Sequence, residues 1–176
     1  MFVEAARDMV RAFKDVMPVI AADAYVDPSA QVIGDVVIGD ASSVWMNAVV
    51  RGDVNHVRIG RRTNVQDGTI VHVMRDPSHP TVIGDEVTVG HGVVLHGCTI
   101  DDLCLIGMGA IVLNGARVGT GSIVAAGTLL PEGFVVPARS LVMGSPGRVK
   151  RTIGDEEYAF IRQSADNYVR YRRDYM

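Results

Sequence analysis

Aliphatic residues recur at every sixth position along most of the chain. The series comprises Val26, Val32, Ile38, Val44 and Val50, then Ile59, Val65 and Val71, then Ile83, Val89 and Leu95. After a slip of one residue it continues through Ile100, Ile106, Val112, Val118, Val124, Leu130, Val136 and Val142. A six-residue period matches neither the 3.6-residue period of a helix nor the alternation of a long strand, but it is typical of hexapeptide β-helix repeats.

In such a repeat each hexad forms one short strand and a corner, and three hexads close a triangular coil with the aliphatic residue pointing inward. Nineteen markers therefore predict about six coils. An ordinary β-sandwich is the alternative, but it would need hairpin turns and longer alternating runs.

The two ends of the chain follow a different pattern. Residues 2–17 place apolar side chains at helical spacing before Pro18, which predicts a short N-terminal helix. Residues 154–174 predict a C-terminal α-helix, with Asp155 as its cap and with Arg170, Arg172 and Arg173 on its solvated face. We predict a single domain over 1–176, made of an extension (1–17), a parallel β-helix (18–150) and the C-terminal helix (154–174).

Composition agrees with an all-β solenoid, since hydrophobic residues make up 48% of the chain but aromatic residues only 6%. The net charge of -3 gives no general attraction to nucleic acid or to a membrane surface. Cys98 and Cys104 do not form a disulfide framework, and the N-terminus does not resemble a signal peptide. We expect a soluble, cytoplasmic protein.

The six-residue period assigns positions to the three faces of the coil, which we name A, B and C. Val50 opens face A, Ile59 opens face B after a three-residue insertion around 55–57, and Val65 opens face C. A second insertion, of six residues, lies within 73–81, after which Val89 opens face C again and Leu95 face A.

The residues that follow the face A markers Val50, Val71 and Leu95 form one outward column, made of Arg51, His72 and His96. Neighbouring members are about 4.8 Å apart, so two imidazoles can share one metal ion. Asp67 and His91 form a second column on face C, around a corner. If all three histidines bind one metal, face C of one chain must meet face A of another, as in a homotrimer. The alternative is that these histidines are ordinary surface groups.

The stretch SVWMNAVVRGDVNHVRIGRRTNVQDGTIVH, followed by VTVGHGVVLHGC, closely resembles the gamma-class carbonic anhydrases. The resemblance runs from about residue 18 to 149 and implies that the β-helix is left-handed. It also implies that His72, His91 and His96 bind Zn²⁺, with Fe²⁺ or Co²⁺ as ions that the same ligands accept. Arg51 and Asp53 correspond to an intersubunit salt bridge, and Asn64, Gln66 and Asp67 to polar residues around the metal-bound solvent.

The function that this resemblance implies is hydration of CO2 to bicarbonate by a metal-bound hydroxide at a trimer interface. Some family members use a glutamate of a long acidic loop as a proton shuttle. The loop here, 73–80, is short and contains no glutamate, so His79 is the candidate proton relay, with a solvated loop histidine as the alternative. Other functions considered are a metal-dependent acyl-CoA thioesterase, a weakly active metal-binding protein and a hexapeptide-repeat acyltransferase, which would need only one general-base histidine.

Overall fold

Twenty short strands and one α-helix make up residues 9–176, the part of the chain that the computed structural model describes. The strands are β1 (Val10–Arg11), β2 (Val19–Ile20), β3 (Tyr25–Val26), β4 (Gln31–Ile38), β5 (Ser43–Val44), β6 (Val49–Ile59), β7 (Asn64–Val65), β8 (Ile70–His72), β9 (Thr81–Ile83), β10 (Thr88–Val89), β11 (Val94–His96), β12 (Thr99–Ile100), β13 (Leu105–Ile106), β14 (Ile111–Val112), β15 (Arg117–Val118), β16 (Ile123–Val124), β17 (Leu129–Leu130), β18 (Val135–Val136), β19 (Ser140–Met143) and β20 (Arg148–Thr152). The helix α1 (Asp155–Tyr171) and a short 3₁₀ turn (Arg172–Asp174) follow them.

Strands one coil apart pair in parallel, and this pairing confirms the three predicted faces. On face A, Val50 pairs with Val71, which pairs with Leu95. Ile59 pairs with Ile83 on face B, and Val65 with Val89 on face C. The strands β4 and β6 are long enough to turn the corner from face A to face B without interruption. The fold is a left-handed parallel β-helix, as predicted.

The sheet on face C has eight strands: seven run parallel, β3, β5, β7, β10, β13, β16 and β19, and β20 pairs antiparallel with β19. The structure therefore has about seven turns, one more than the sequence predicted. The missing turn begins at β2, where Ile20 pairs with Ile38 on face B. Ile20 lies six residues before Val26 and so belongs to the same series.

The marker residues form the core. Eighteen of the nineteen are buried, and Val26 is partly buried against them. Burying each such aliphatic side chain contributes roughly 1.5–3 kcal/mol. The markers of one face stack directly above one another. Most of them are Val or Ile, whose side chains are small enough to fill the narrow interior of the coil.

The corner between faces A and B is irregular in consecutive coils. Gly34 pairs with Gly52 but Val36 pairs with Val57, so residues 53–56 bulge opposite a single residue of β4. One coil further, residues 73–80 leave the helix between β8 and β9. Both predicted insertions are thus confirmed, and both lie beside the column that contains His72 and His96.

The C-terminal helix packs on face C through Ile161, Ala165 and Val169, all buried. The predicted cap was wrong by one position. Gly154 is the N-cap, its N–H donates to Glu157 Oε2 at 3.1 Å, and Asp155 is the first helical residue. Glu157 can reach back in this way because it occupies the third helical position.

The expectation of a solvated Arg172 was also wrong, since only 6% of this residue is exposed. The 3₁₀ turn after α1 directs its side chain inward, where it donates to the main-chain oxygen of Asp23 and lies 3.4 Å from that residue's carboxylate. The end of the chain is therefore attached to the first coil.

The predicted N-terminal helix is not present in residues 9–17, and its first part, residues 2–8, lies outside the described residues. Val10 and Arg11 instead form β1, which pairs in parallel with Val32 and Ile33. The first strand of face A would otherwise expose unpaired backbone groups, and this pairing outweighs a weak helical pattern. No helix within residues 9–176 is both long enough and apolar enough to cross a membrane.

Candidate functional site

His72 and His96 lie side by side on face A, as the column assignment predicted. They are register partners in β8 and β11, and His72 Nδ1 lies 3.2 Å from His96 Nε2. Two imidazole nitrogens bound to one tetrahedral zinc ion at their usual bond length are about 3.3 Å apart. The spacing of this pair therefore fits two ligands of a shared ion.

Each of the three candidate histidines has an oxygen acceptor on one ring nitrogen. Asp53 Oδ1 lies 3.0 Å from His72 Nε2, and Asp67 Oδ2 lies 2.5 Å from His91 Nδ1. A carboxylate can only accept, so in the hydrogen bond with Asp53 the hydrogen lies on His72 Nε2 and His72 Nδ1 keeps its lone pair. Histidine ligands of metals are usually held in this way.

His91 occupies face C, away from the other two histidines. Its neighbour Asp67 lies one coil below it in the same column, as predicted, and Gly92 N–H donates to the Asp67 main-chain oxygen at 2.9 Å. Within residues 9–176 no three His, Cys, Asp or Glu side chains converge on one point. The binding of one metal by all three histidines stays a prediction that requires two chains.

Asp53 links Arg51 to His72. Arg51 and Asp53 are two residues apart in β6, so both side chains point to the same side, and their charged groups are in contact within one chain. The resemblance placed this ion pair between subunits, whereas the single chain already forms it internally. Pairing across an interface stays a prediction.

The electrostatics of this group keep the carboxylate charged and the imidazole neutral. Burial raises the pKa of Asp53, but the hydrogen bonds with His72 and Arg51 outweigh it and hold the pKa below its usual value. Burial is the main cause that lowers the pKa of His72, and the charge of Arg51 adds to it against the opposing effect of Asp53. A neutral imidazole is the form that binds a metal.

Gln66 and Asn64 form a buried polar pair below His91. Gln66 Nε2 donates to Asn64 Oδ1 at 3.0 Å, and Asn64 Nδ2 donates to Thr88 Oγ1 at 3.1 Å. Thr88 in turn contacts Ser164 of α1 at 3.2 Å. The amide of Gln66 is therefore held in one orientation, with its carbonyl oxygen available as an acceptor.

An apolar groove of about 420 Å³ runs along face C beside α1. We call it the face C groove, and its lining includes Gln66, His91, Leu105, Met108, Phe160 and Tyr168. Tyr168 also lines a second pocket together with Asp67. Burial, and then the charge of Asp67, raise the pKa of its hydroxyl.

On the other side of the histidine pair, the structure reveals two residues that the sequence did not indicate. His96 Nδ1 lies 2.7 Å from Asn114 Oδ1, and Asn114 Nδ2 lies 2.8 Å from Glu132 Oε1. Asn114 and Glu132 line a pocket of about 370 Å³. His79 lines the same pocket, and its Nδ1 lies 3.0 Å from Ser78 Oγ. Asn114 could have been found from its place one coil above Gly97, next to His96.

The two cysteines and His56 take no part in the contacts described above. Cys98 and Cys104 are buried free thiols, as expected, and burial raises the pKa of each to about 12. His56 lies in the bulge of β6, where its main-chain N–H donates to Asn55 Oδ1 at 2.9 Å.

Known proteins resemble this chain over most of its length, although no family model matches it. The mitochondrial gamma carbonic anhydrase 1 of Arabidopsis thaliana is 48% identical over 158 residues, 88% of this chain but only 58% of that protein. This chain therefore spans little more than half the length of that relative. A carbonic anhydrase of Geobacillus kaustophilus is 44% identical over 161 residues, 92% of this chain and 87% of that protein. The crystal structure of a hexapeptide transferase family protein from Anaplasma phagocytophilum matches with a TM-score of 0.91 at 38% identity, covering 95% of this chain and 98% of that chain.

Proposed function

Because the chain belongs to the gamma-class carbonic anhydrase-like family of hexapeptide-repeat proteins, we propose that it is a lyase that hydrates CO2 to bicarbonate. The reaction would use a divalent metal held between the subunits of a homotrimer by His72 and His96 of one chain and His91 of the next. The observation that carries the proposal is the 3.2 Å spacing of the His72 and His96 ring nitrogens, together with the placement of His91 on another face.

A Zn²⁺ ion held by one ring nitrogen of each of these three histidines, or Fe²⁺ or Co²⁺ in its place, would lower the pKa of water to about 7. The ion would thereby supply hydroxide as the nucleophile. The chain's own residues would orient the ligand histidines and the reacting groups. Asp53 accepts from His72 Nε2 and leaves Nδ1 free, the Asp67 carboxylate lies against His91, and the fixed amide of Gln66 presents its oxygen on the same face as His91. His79, in the pocket beside Asn114, would pass protons to solvent.

The face C groove favours a second candidate function, acyl-CoA hydrolysis by the same metal. It is lined by Leu105, Met108 and Phe160 and reaches His91, so an apolar acyl chain could lie along it. Two free, buried cysteines fit a reducing cytoplasmic setting for either activity.

The test is a metal assay of anaerobically prepared protein, followed by CO2 hydration and acyl-CoA hydrolysis on the same sample. We expect about one metal per chain and hydration without thioesterase activity. His91→Ala should abolish both metal binding and hydration, whereas the control His56→Ala should retain them. A folded trimer that binds no metal would contradict the proposal, and thioester hydrolysis alone would favour the second candidate.

A further inference from the structure

Asn114 and Glu132 form a chain of hydrogen bonds that ends on a candidate metal ligand. Glu132 Oε1 lies 2.8 Å from Asn114 Nδ2, and Asn114 Oδ1 lies 2.7 Å from His96 Nδ1. All three side chains are on the face A side of the coil, on strands or corners one coil apart. Neither Asn114 nor Glu132 contacts the two ring nitrogens that face each other, His72 Nδ1 and His96 Nε2, so any effect on the site must act through the His96 ring.

The direction of each hydrogen bond follows from the chemistry of Glu132. A carboxylate has no hydrogen to donate, so it must face the NH₂ group of Asn114 rather than its carbonyl. The amide oxygen of Asn114 then faces His96, and an oxygen acceptor requires a hydrogen on His96 Nδ1. A neutral imidazole carries one hydrogen, so the lone pair of His96 lies on Nε2, the atom that faces His72.

The backbone next to His96 is shaped to allow this contact. Gly97 has a φ of +59°, and a Cβ at that position would lie 2.6 Å from Asn114 Oδ1. Any larger residue would therefore push the amide away from His96. The left-handed conformation favours glycine, and the close approach of Asn114 leaves no room for a Cβ.

From this geometry we infer that Asn114, oriented by Glu132, is a positioning residue that holds His96 in its Nδ1–H tautomer and so leaves Nε2 free to bind a cation. In the same way, Asp53 holds the hydrogen of His72 on Nε2 and leaves Nδ1 of His72 free. Two lone pairs then face each other across 3.2 Å, an arrangement that is repulsive unless a cation lies between them. The inference rests on the proposed metal site, but its first readout needs neither metal nor activity.

The experiment uses the metal-free trimer with ¹⁵N-labelled histidine and reads the His96 tautomer from long-range ¹H–¹⁵N NMR. The native protein should show the Nδ1–H form. Asn114→Leu removes the acceptor and should allow both tautomers, whereas Asn114→Asp combined with Glu132→Gln keeps an acceptor oxygen for His96 and a donor–acceptor pair with residue 132, and should retain Nδ1–H. In chelator competition Asn114→Leu should bind Zn²⁺ about 10–100-fold more weakly, which is the usual effect of losing the partner of a ligand histidine, and the Asn114→Asp, Glu132→Gln double variant should bind it about as tightly as the native protein.

Glu132→Ala provides a second variant, because Glu132 is exposed and its loss should not affect folding. With the carboxylate gone the Asn114 amide is free to turn over, so both His96 tautomers should appear and Zn²⁺ binding should weaken by less than in Asn114→Leu. The inference is overturned if native His96 carries its hydrogen on Nε2, or if both Asn114→Leu and Glu132→Ala keep the native tautomer and Zn²⁺ affinity. Native protein with the Nδ1–H form but no CO2 hydration would contradict the proposed function and leave the inference standing.

Discussion

Two histidine substitutions that each destroy the proposed site should partly restore it when combined. His72→Ala removes a ligand from face A, and His91→Ala removes the ligand on face C. In a trimer of either variant alone, all three junctions between a face C and a face A lack one ligand. A mixed trimer contains one junction at which the His72→Ala chain supplies His91 and the His91→Ala chain supplies His72 and His96.

The expected recovery follows from counting junctions. Random assembly of equal amounts makes about three quarters of the trimers mixed, and one junction in three of each mixed trimer is intact, so about one quarter of all sites should return. The variants are unfolded together, refolded without metal and then loaded with Zn²⁺. Metal content and CO2 hydration should both reach about a quarter of the native values.

A matched control uses two substitutions on the same face. His72→Ala mixed with His96→Ala leaves every face A with a single histidine, so no junction is complete and no recovery is expected. Native mass spectrometry shows whether mixed trimers have formed. Mixed trimers of His72→Ala and His91→Ala without any recovery would mean that the three histidines do not meet between chains.

Three further substitutions test other parts of the structure. Leu95→Ala removes a fully buried side chain stacked between Val71 and Val112, and it should lower the free energy of unfolding in denaturant by about 2–5 kcal/mol. Asp53→Ala should weaken Zn²⁺ binding about 10–100-fold by chelator competition, because His72 loses the acceptor on its Nε2; unchanged affinity would remove Asp53 from the site. The hydrogen bond with Arg151, and then that with the Gly154 N–H, lower the pKa of Glu157 to about 2. The stabilising effect of the Glu157 carboxylate is therefore complete above its ordinary pKa of 4.5 and is lost as the pH falls toward about 2. Glu157→Gln should therefore be less stable than the native protein at neutral pH, and the difference should shrink between pH 4.5 and 2 in acid titrations followed by circular dichroism.

The sequence was sufficient for the coil because one rule, an inward aliphatic residue at every sixth position, decides most of the fold. The same rule placed His72 beside His96 and Asp67 beside His91, since residues at equal distances from stacked markers share a column. It failed at the first turn, where Ile20 was left out of the series, and at Val10, where pairing with β4 outweighs a helical pattern.

Contacts that depend on side-chain direction were harder to predict. The spacing places Asn114 and Glu132 two residues after face A markers, above His96, but it does not show which way their side chains point. From the sequence, Arg172 is one of three arginines predicted on a solvated helix face. In the structure the helix changes to a 3₁₀ turn, which directs the Arg172 side chain to Asp23. The Arg172 contact joins the end of α1 to the first coil, two elements that the repeat itself does not relate.

The helix α1 also changes how the molecule should fold. A solenoid whose coils touch only their neighbours can fray from either end, one repeat at a time. Here α1 is about 26 Å long and runs back across about five coils, from Arg139, which pairs with Asp155, down to Asp23, which holds Arg172. The last contact joins residues 149 positions apart, so the first coil gains this partner only after residue 172 has been synthesised. This long-range closure should make folding slow and unfolding cooperative, with both ends of the stack lost together.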